Sequence, residues 1–256
     1  MTKIVKTHEG IKPVGSTIDR GISIIIYGDP GRGKTHLAAT LPVGETIIIN
    51  TEAGYGPLLG TNHHVFNLKD DLKQLENFYQ FLRCEAHPYK NVVIDNISEM
   101  QDWILRVIYE GRGKDFPDVR EHGDTSTKMK EYLTLFRDLT TERNMNVIFN
   151  AWEYPIDIER TEGGVITKTY PKLYPKITID ICGKVDAVGH LEVYEKTGDR
   201  FIRFVGTTKI MAKCQFKGVE EFEEPNLPNI LEKIKGFSYA KKEEKHGTNE
   251  PVHKKD

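Results

Sequence analysis

Cysteine is scarce in this chain: three residues in 256, Cys84, Cys182 and Cys214, odd in number and without a Cys-x-x-Cys pair. Such spacing offers neither a zinc site nor a redox couple, and a reducing cytoplasm is the expected location. Long apolar runs are missing too. Those from Ile22 to Tyr27 and from Ile47 to Ile49 fall far short of a bilayer span, and the N-terminus carries no signal-type apolar core. No membrane partner is expected. Charge of one sign is also lacking: 29% of residues are charged, yet the net charge is -2. That excludes a global basic field, so any nucleic-acid site must be local. The guanine signature Asn-Lys-x-Asp is absent as well, which argues against a GTPase.

What the chain does contain is Gly28-Asp29-Pro30-Gly31-Arg32-Gly33-Lys34-Thr35, which fits the phosphate-loop pattern G-x-x-x-x-G-K-[ST] at each fixed position. An apolar run precedes it and His36-Leu37-Ala38-Ala39 follows with helical character, so strand, loop and helix come in the required order. Glycines let the backbone curl until successive N–H groups point at phosphate oxygens. Gly28 to Thr35, with His36, are therefore the expected nucleotide contacts. Lys34 reaches the β- and γ-phosphates, and Thr35 offers its hydroxyl to Mg²⁺.

Three further strands end on polar residues. Thr46 to Asn50 leads to Glu52, which either activates the water that attacks a γ-phosphate or caps the turn at Ala53-Gly54. Asn91 to Asn96 is an apolar run closing on Asp95, the expected second Mg²⁺ ligand. Val147 to Trp152 places Asn150 near its carboxyl end, where the amide bonds a γ-phosphate or merely satisfies loop backbone. Helical periodicity marks Asp70–Arg83, Ile97–Ile108 and Met129–Leu139, while His63 and His64 read as a surface turn.

Gly111 to Gly123 shows no periodicity and reads as a mobile loop. Residues 153–176 read as a hairpin followed by Tyr170, Lys172, Tyr174 and Lys176, an aromatic and basic alternation of the kind that holds single-stranded DNA, or else a solvated hairpin with its tyrosines packed inward. Val185–Tyr194 and Arg200–Gly206 extend the sheet. The expected organisation is an N-terminal arm (1–20), one α/β domain (21–235) with a mostly parallel central sheet, flanking helices and a β-rich C-terminal extension, and a charged, disordered tail (236–256).

This order of motifs resembles the RecA-like P-loop ATPase core over residues 21–217, and more specifically the small phage-encoded AAA-type proteins of that superfamily, a group that includes annealing and recombination proteins. The resemblance implies a Mg²⁺-dependent, DNA-stimulated ATPase working on single-stranded DNA in phage recombination, annealing or replication, in the host cytoplasm. It implies a homo-oligomer, ring or filament, with a single-stranded DNA-binding protein as a further partner. Glu52 would be the catalytic base and Lys209, or Lys213, the lysine that reaches a neighbouring subunit's nucleotide. Arg112, Lys114 and Arg120 would fall in one DNA-facing loop, Lys168, Tyr170, Lys172, Tyr174 and Lys176 in the other. Ala151 and Trp152 depart from the glutamine and histidine common in such relatives. The competing readings are an ATP-switched annealing module with little turnover and a small-molecule kinase.

Overall fold

A computed structural model of the protein describes residues 18–51, 56–69, 71–159 and 163–237. Nearly all of the expected arm and tail, and Glu52, lie outside the described residues.

Four apolar runs form the centre of one sheet: β1 (Ser23–Tyr27), β2 (Thr46–Asn50), β4 (Asn91–Asp95) and β5 (Asn146–Ala151), each buried along its whole length. Strands covered on both faces need apolar side chains at every position, which is why they read as unbroken runs. With β3 (His64–Asn67) and β8 (Ala187–Val193) they make a parallel array in the order β3-β2-β4-β5-β1-β8. β9 (Arg200–Arg203), β10 (Lys213–Cys214) and β11 (Phe222–Glu223) add antiparallel at the β8 side.

Alternation along the strands divides the core in two. Ile25, Tyr27, Ile49, Ile94 and Phe149 face α2 (Leu72–Cys84), α3 (Ile97–Glu110), α4 (Val119–Glu142) and α5 (Pro175–Lys184). Ile24, Ile26, Ile48, Val93 and Ile148 face the short α1 (Lys34–Ala38) and α6 (Leu227–Gly236). The result is the expected helix-covered, mostly parallel sheet. It brings the carboxyl ends of β1, β2, β4 and β5 to one edge, where ligands bind in open α/β sheets.

β6 (Glu153–Glu159) and β7 (Val165–Pro171) pair as an antiparallel hairpin outside the main sheet. Its base is fastened to the ligand edge: Thr169 bridges Ile210, and the Tyr27 hydroxyl donates to Met211 O at 2.7 Å.

Two expectations are corrected. The segment Gly111–Gly123 is not a mobile loop throughout, because α4 starts at Val119, ten residues before its apolar stripe. Asp118 caps that start and the Glu121 side chain bonds back to the Asp118 N–H, a capping box that fixes a helix where polar residues hide its periodicity. The stretch Thr207–Lys213 is not a strand either: a turn carries Lys209, and Lys213 opens the two-residue β10.

Candidate nucleotide site

The β1–α1 turn has the curl that the glycines allow. Gly31 has φ 79° and Gly33 φ 103°, both in the left-handed region where a side chain would be strained. At Gly28 space is the limit, since a Cβ would lie 2.8 Å from Leu191 O on the neighbouring strand. Asp29 and Arg32 form an ion pair across the turn at 3.2 Å. α1 spans only five residues, so the field at the loop comes mainly from its local N–H groups rather than from a long helix dipole.

Lys34 is 6% exposed, and its Nζ donates to Gly28 O and Asp29 O, both at 2.8 Å. The ammonium thus lies folded against the loop's own carbonyls, inside the cradle that a phosphate would fill. Pro30, Gly31, Gly33, Lys34, Thr35 and His36 line a cavity of ≈ 280 Å³, and Asp95, Pro57 and Trp152 close its far side. Thr35 and Asp95 facing one space is the donor set, a hydroxyl and a carboxylate, that suits Mg²⁺ while leaving room for water and phosphate oxygens.

Asn150 occupies β5, the strand between β1 and β4, and is 1% exposed. Its Nδ2 donates to Asp95 Oδ1 at 3.1 Å and to Lys34 O at 3.3 Å. The amide therefore braces the acid against the loop from beneath and is not among the lining residues. Across β4, Thr51 accepts from Asn96 N and donates to Asn96 O, each at 2.8 Å, which fixes the backbone beside Asp95.

Trp152 was not legible as a site residue beyond its departure from the relatives. Its place two positions after Asn150, past the strand's carboxyl end, is the signal that points it to the ligand edge. Its N–H accepts support from Ser98 by donating to Ser98 Oγ at 3.0 Å, and Lys172 Nζ sits 4.8 Å from its ring centroid.

The family comparison agrees with this geometry: the AAA domain model matches residues 20–216, most of the chain. The chain belongs to the AAA domain family. No curated protein matches it. As an AAA domain it is a nucleotide-binding protein of the P-loop NTPase type.

The remaining expected residues of this AAA domain are dispersed. Lys213 Nζ donates to Gly183 O at 2.9 Å, and burial pushes its pKa down, so it is committed within its own chain away from the phosphate loop. Lys209 is exposed in the turn beside β7. Arg112 pairs with Glu121 at 2.7 Å and Asp124 at 2.5 Å, and Lys114 with Asp118 at 2.8 Å and Glu121 at 2.9 Å. Arg120 is exposed in the first turn of α4. Lys168 lies 5.6 Å from the Tyr170 ring centroid. Tyr174 precedes α5, its hydroxyl 2.8 Å from His122 Nδ1, and Lys176 is exposed on that helix. Among the described residues, no helix is long and apolar enough to cross a membrane.

Proposed function

We propose that this AAA-domain protein is a Mg²⁺-dependent, RecA-like ATPase that acts on single-stranded DNA as a homo-oligomer, in phage recombination, annealing or replication. The observation that carries the reading is the common cavity of Lys34, Thr35 and Asp95, with the Asn150 strand set between the loop strand and the acid strand. Lys34 and the loop N–H groups would hold the β- and γ-phosphates, and Thr35 and Asp95 the metal. Mg²⁺, when bound, neutralises phosphate charge. Glu52 is the proposed base for the attacking water, and Asn150 keeps Asp95 in register with the loop.

The DNA part rests on the hairpin. Tyr154 pairs directly with Tyr170, Ile156 with Lys168 and Ile158 with Ile166, so these six side chains share one face. Tyr154 and Ile158 are exposed on it. Two rings, aliphatic side chains and one cation form a surface on which unpaired bases can stack. A kinase would need an acceptor pocket under an arginine-bearing lid, and the segment after Asn150 supplies a hairpin instead, which favours the DNA reading.

Steady-state hydrolysis with and without single-stranded DNA tests this, repeated on Lys34→Ala and Glu52→Gln. The expected outcome is a DNA-stimulated rate that both variants lose. A rate indifferent to DNA, with no DNA binding by ATP-loaded Glu52→Gln, overturns the DNA assignment.

A further inference from the structure

A second cavity, of ≈ 260 Å³, adjoins the phosphate site and shares Gly33 and His36 with it. We propose that it is a base pocket that selects purine over pyrimidine nucleotides, with Arg200 as the residue that confers the preference. The proposal rests on the reading that the loop holds a nucleoside triphosphate.

The shared wall makes the two cavities continuous, so a ligand with its phosphates on the loop has its remaining atoms at the mouth of the second. The walls there are apolar: Leu37 from α1, Leu191 from β8 and Pro225 before α6. Against them stands Arg200 of β9. Its guanidinium is planar, delocalised and more weakly hydrated than an ammonium, so it stacks on a flat aromatic ring where a lysine would not. Apolar walls and one cationic plane reward ring area, and a purine offers more of it than a pyrimidine.

Hydrogen-bond readout is weak in this pocket. Thr40 also lines it, but its hydroxyl already donates to Leu37 O at 2.7 Å and accepts from Leu227 N at 3.1 Å. No carboxylate is among the lining residues. The pocket therefore recognises a ring system by stacking and does not separate adenine from guanine.

Arg200 is tied to the phosphate loop as well. Its Nε donates to Arg32 O at 2.9 Å, and a Cβ on Gly33 would come within 3.4 Å of that nitrogen. One side chain thus touches both the base cavity and the loop backbone, so a base seated against it also steadies the loop in its phosphate-binding curl.

Calorimetric titration of the full chain with Mg²⁺ complexes of ATP, GTP, CTP and base-free tripolyphosphate tests the assignment. The wild type is expected to bind ATP and GTP within about threefold of each other, CTP more weakly, and tripolyphosphate weakest. Arg200→Ala is expected to lose about tenfold for ATP and GTP and under threefold for tripolyphosphate. Arg200→Lys, which keeps the charge and loses the plane, is expected to lose the purine preference as well. Equal loss for all four ligands in Arg200→Ala would make Arg200 a brace of the loop only and overturn the pocket. So would equal wild-type affinity for ATP and tripolyphosphate. Failure of the wild type to bind any of the four overturns the phosphate-loop reading, and the base pocket with it.

Discussion

The Asn150 amide links two groups whose spacing the chemistry requires to be fixed, the Asp95 carboxylate and the backbone at Lys34. Replacing it by alanine leaves a 7%-exposed carboxylate short of a donor, at a cost of about 1–3 kcal/mol. Asn150→Ala is therefore expected to melt lower and to hydrolyse more slowly, with nucleotide affinity changed less than turnover, since Lys34 keeps its own loop contacts. Asn150→Asp sets a second carboxylate beside the first and raises the pKa of one of them by like-charge repulsion, so its melting temperature should fall further at pH 8 than at pH 5. Equal melting of wild type and Asn150→Ala would show that the two hydrogen bonds contribute nothing. The glycines, Lys34, Thr35 and Asp95 were readable because loop chemistry fixes their spacing along the chain. Arg200 was not, because it reaches Arg32 across 168 positions through strand pairing that no local pattern records.

Among the elements, the α3–α4 turn depends on one buried acid. Glu121 is fully buried and accepts from Arg112 and Lys114, and the first of these contacts does most to hold its pKa below the ordinary carboxylate range. A depressed folded-state pKa contributes stability that is complete above the unfolded value of 4.5 and is lost as pH falls through the folded one. Glu121→Gln should thus melt below wild type at pH 7 by a margin that shrinks as the pH is lowered beneath about 4.5, as thermal melts across pH would record. A margin independent of pH would assign the effect to packing. The hairpin makes a separate prediction. Each stacked base is worth about 1–3 kcal/mol, so Tyr154→Ala with Tyr170→Ala should weaken single-stranded DNA binding at least about tenfold and leave ATP affinity unchanged. With only Lys168 as a cation on that face and Glu153, Asp157 and Glu159 on the other, the salt dependence should be shallow. Unaltered DNA binding in the double variant would remove the hairpin face from the interface. Legibility of elements followed burial: β1, β2, β4 and β5 are apolar throughout and plain in the sequence. β3 was missed because it is a four-residue strand paired only to β2, with His64 and Asn67 exposed. α5 was missed because Pro175 and Gly183 interrupt a short pattern.

At the scale of the molecule, the nucleotide site draws on elements from the middle of the sheet to its antiparallel side. The loop leaves β1, Asp95 ends β4, Asn150 lies in β5, and Arg200 joins the loop from β9. The hairpin base meets the same edge, where His190 lies 2.8 Å from Glu153 and 3.2 Å from Glu192. Burial opposes charge on that histidine, but its two carboxylate partners outweigh burial and its pKa is raised. A ligand that fastens these strands to one another binds the folded chain and not the unfolded one, so it stabilises the domain by mass action. At a hundredfold excess over its dissociation constant the gain is about 2.7 kcal/mol, and for a domain of this size that is a rise in melting temperature of about 5–10 °C. Mg²⁺ with ATP is expected to raise the wild-type melt by that amount, and to leave Lys34→Ala unmoved at the same concentration. An equal rise in both proteins would place the bound nucleotide away from the phosphate loop, because the Lys34 ammonium is the cation buried within that cradle.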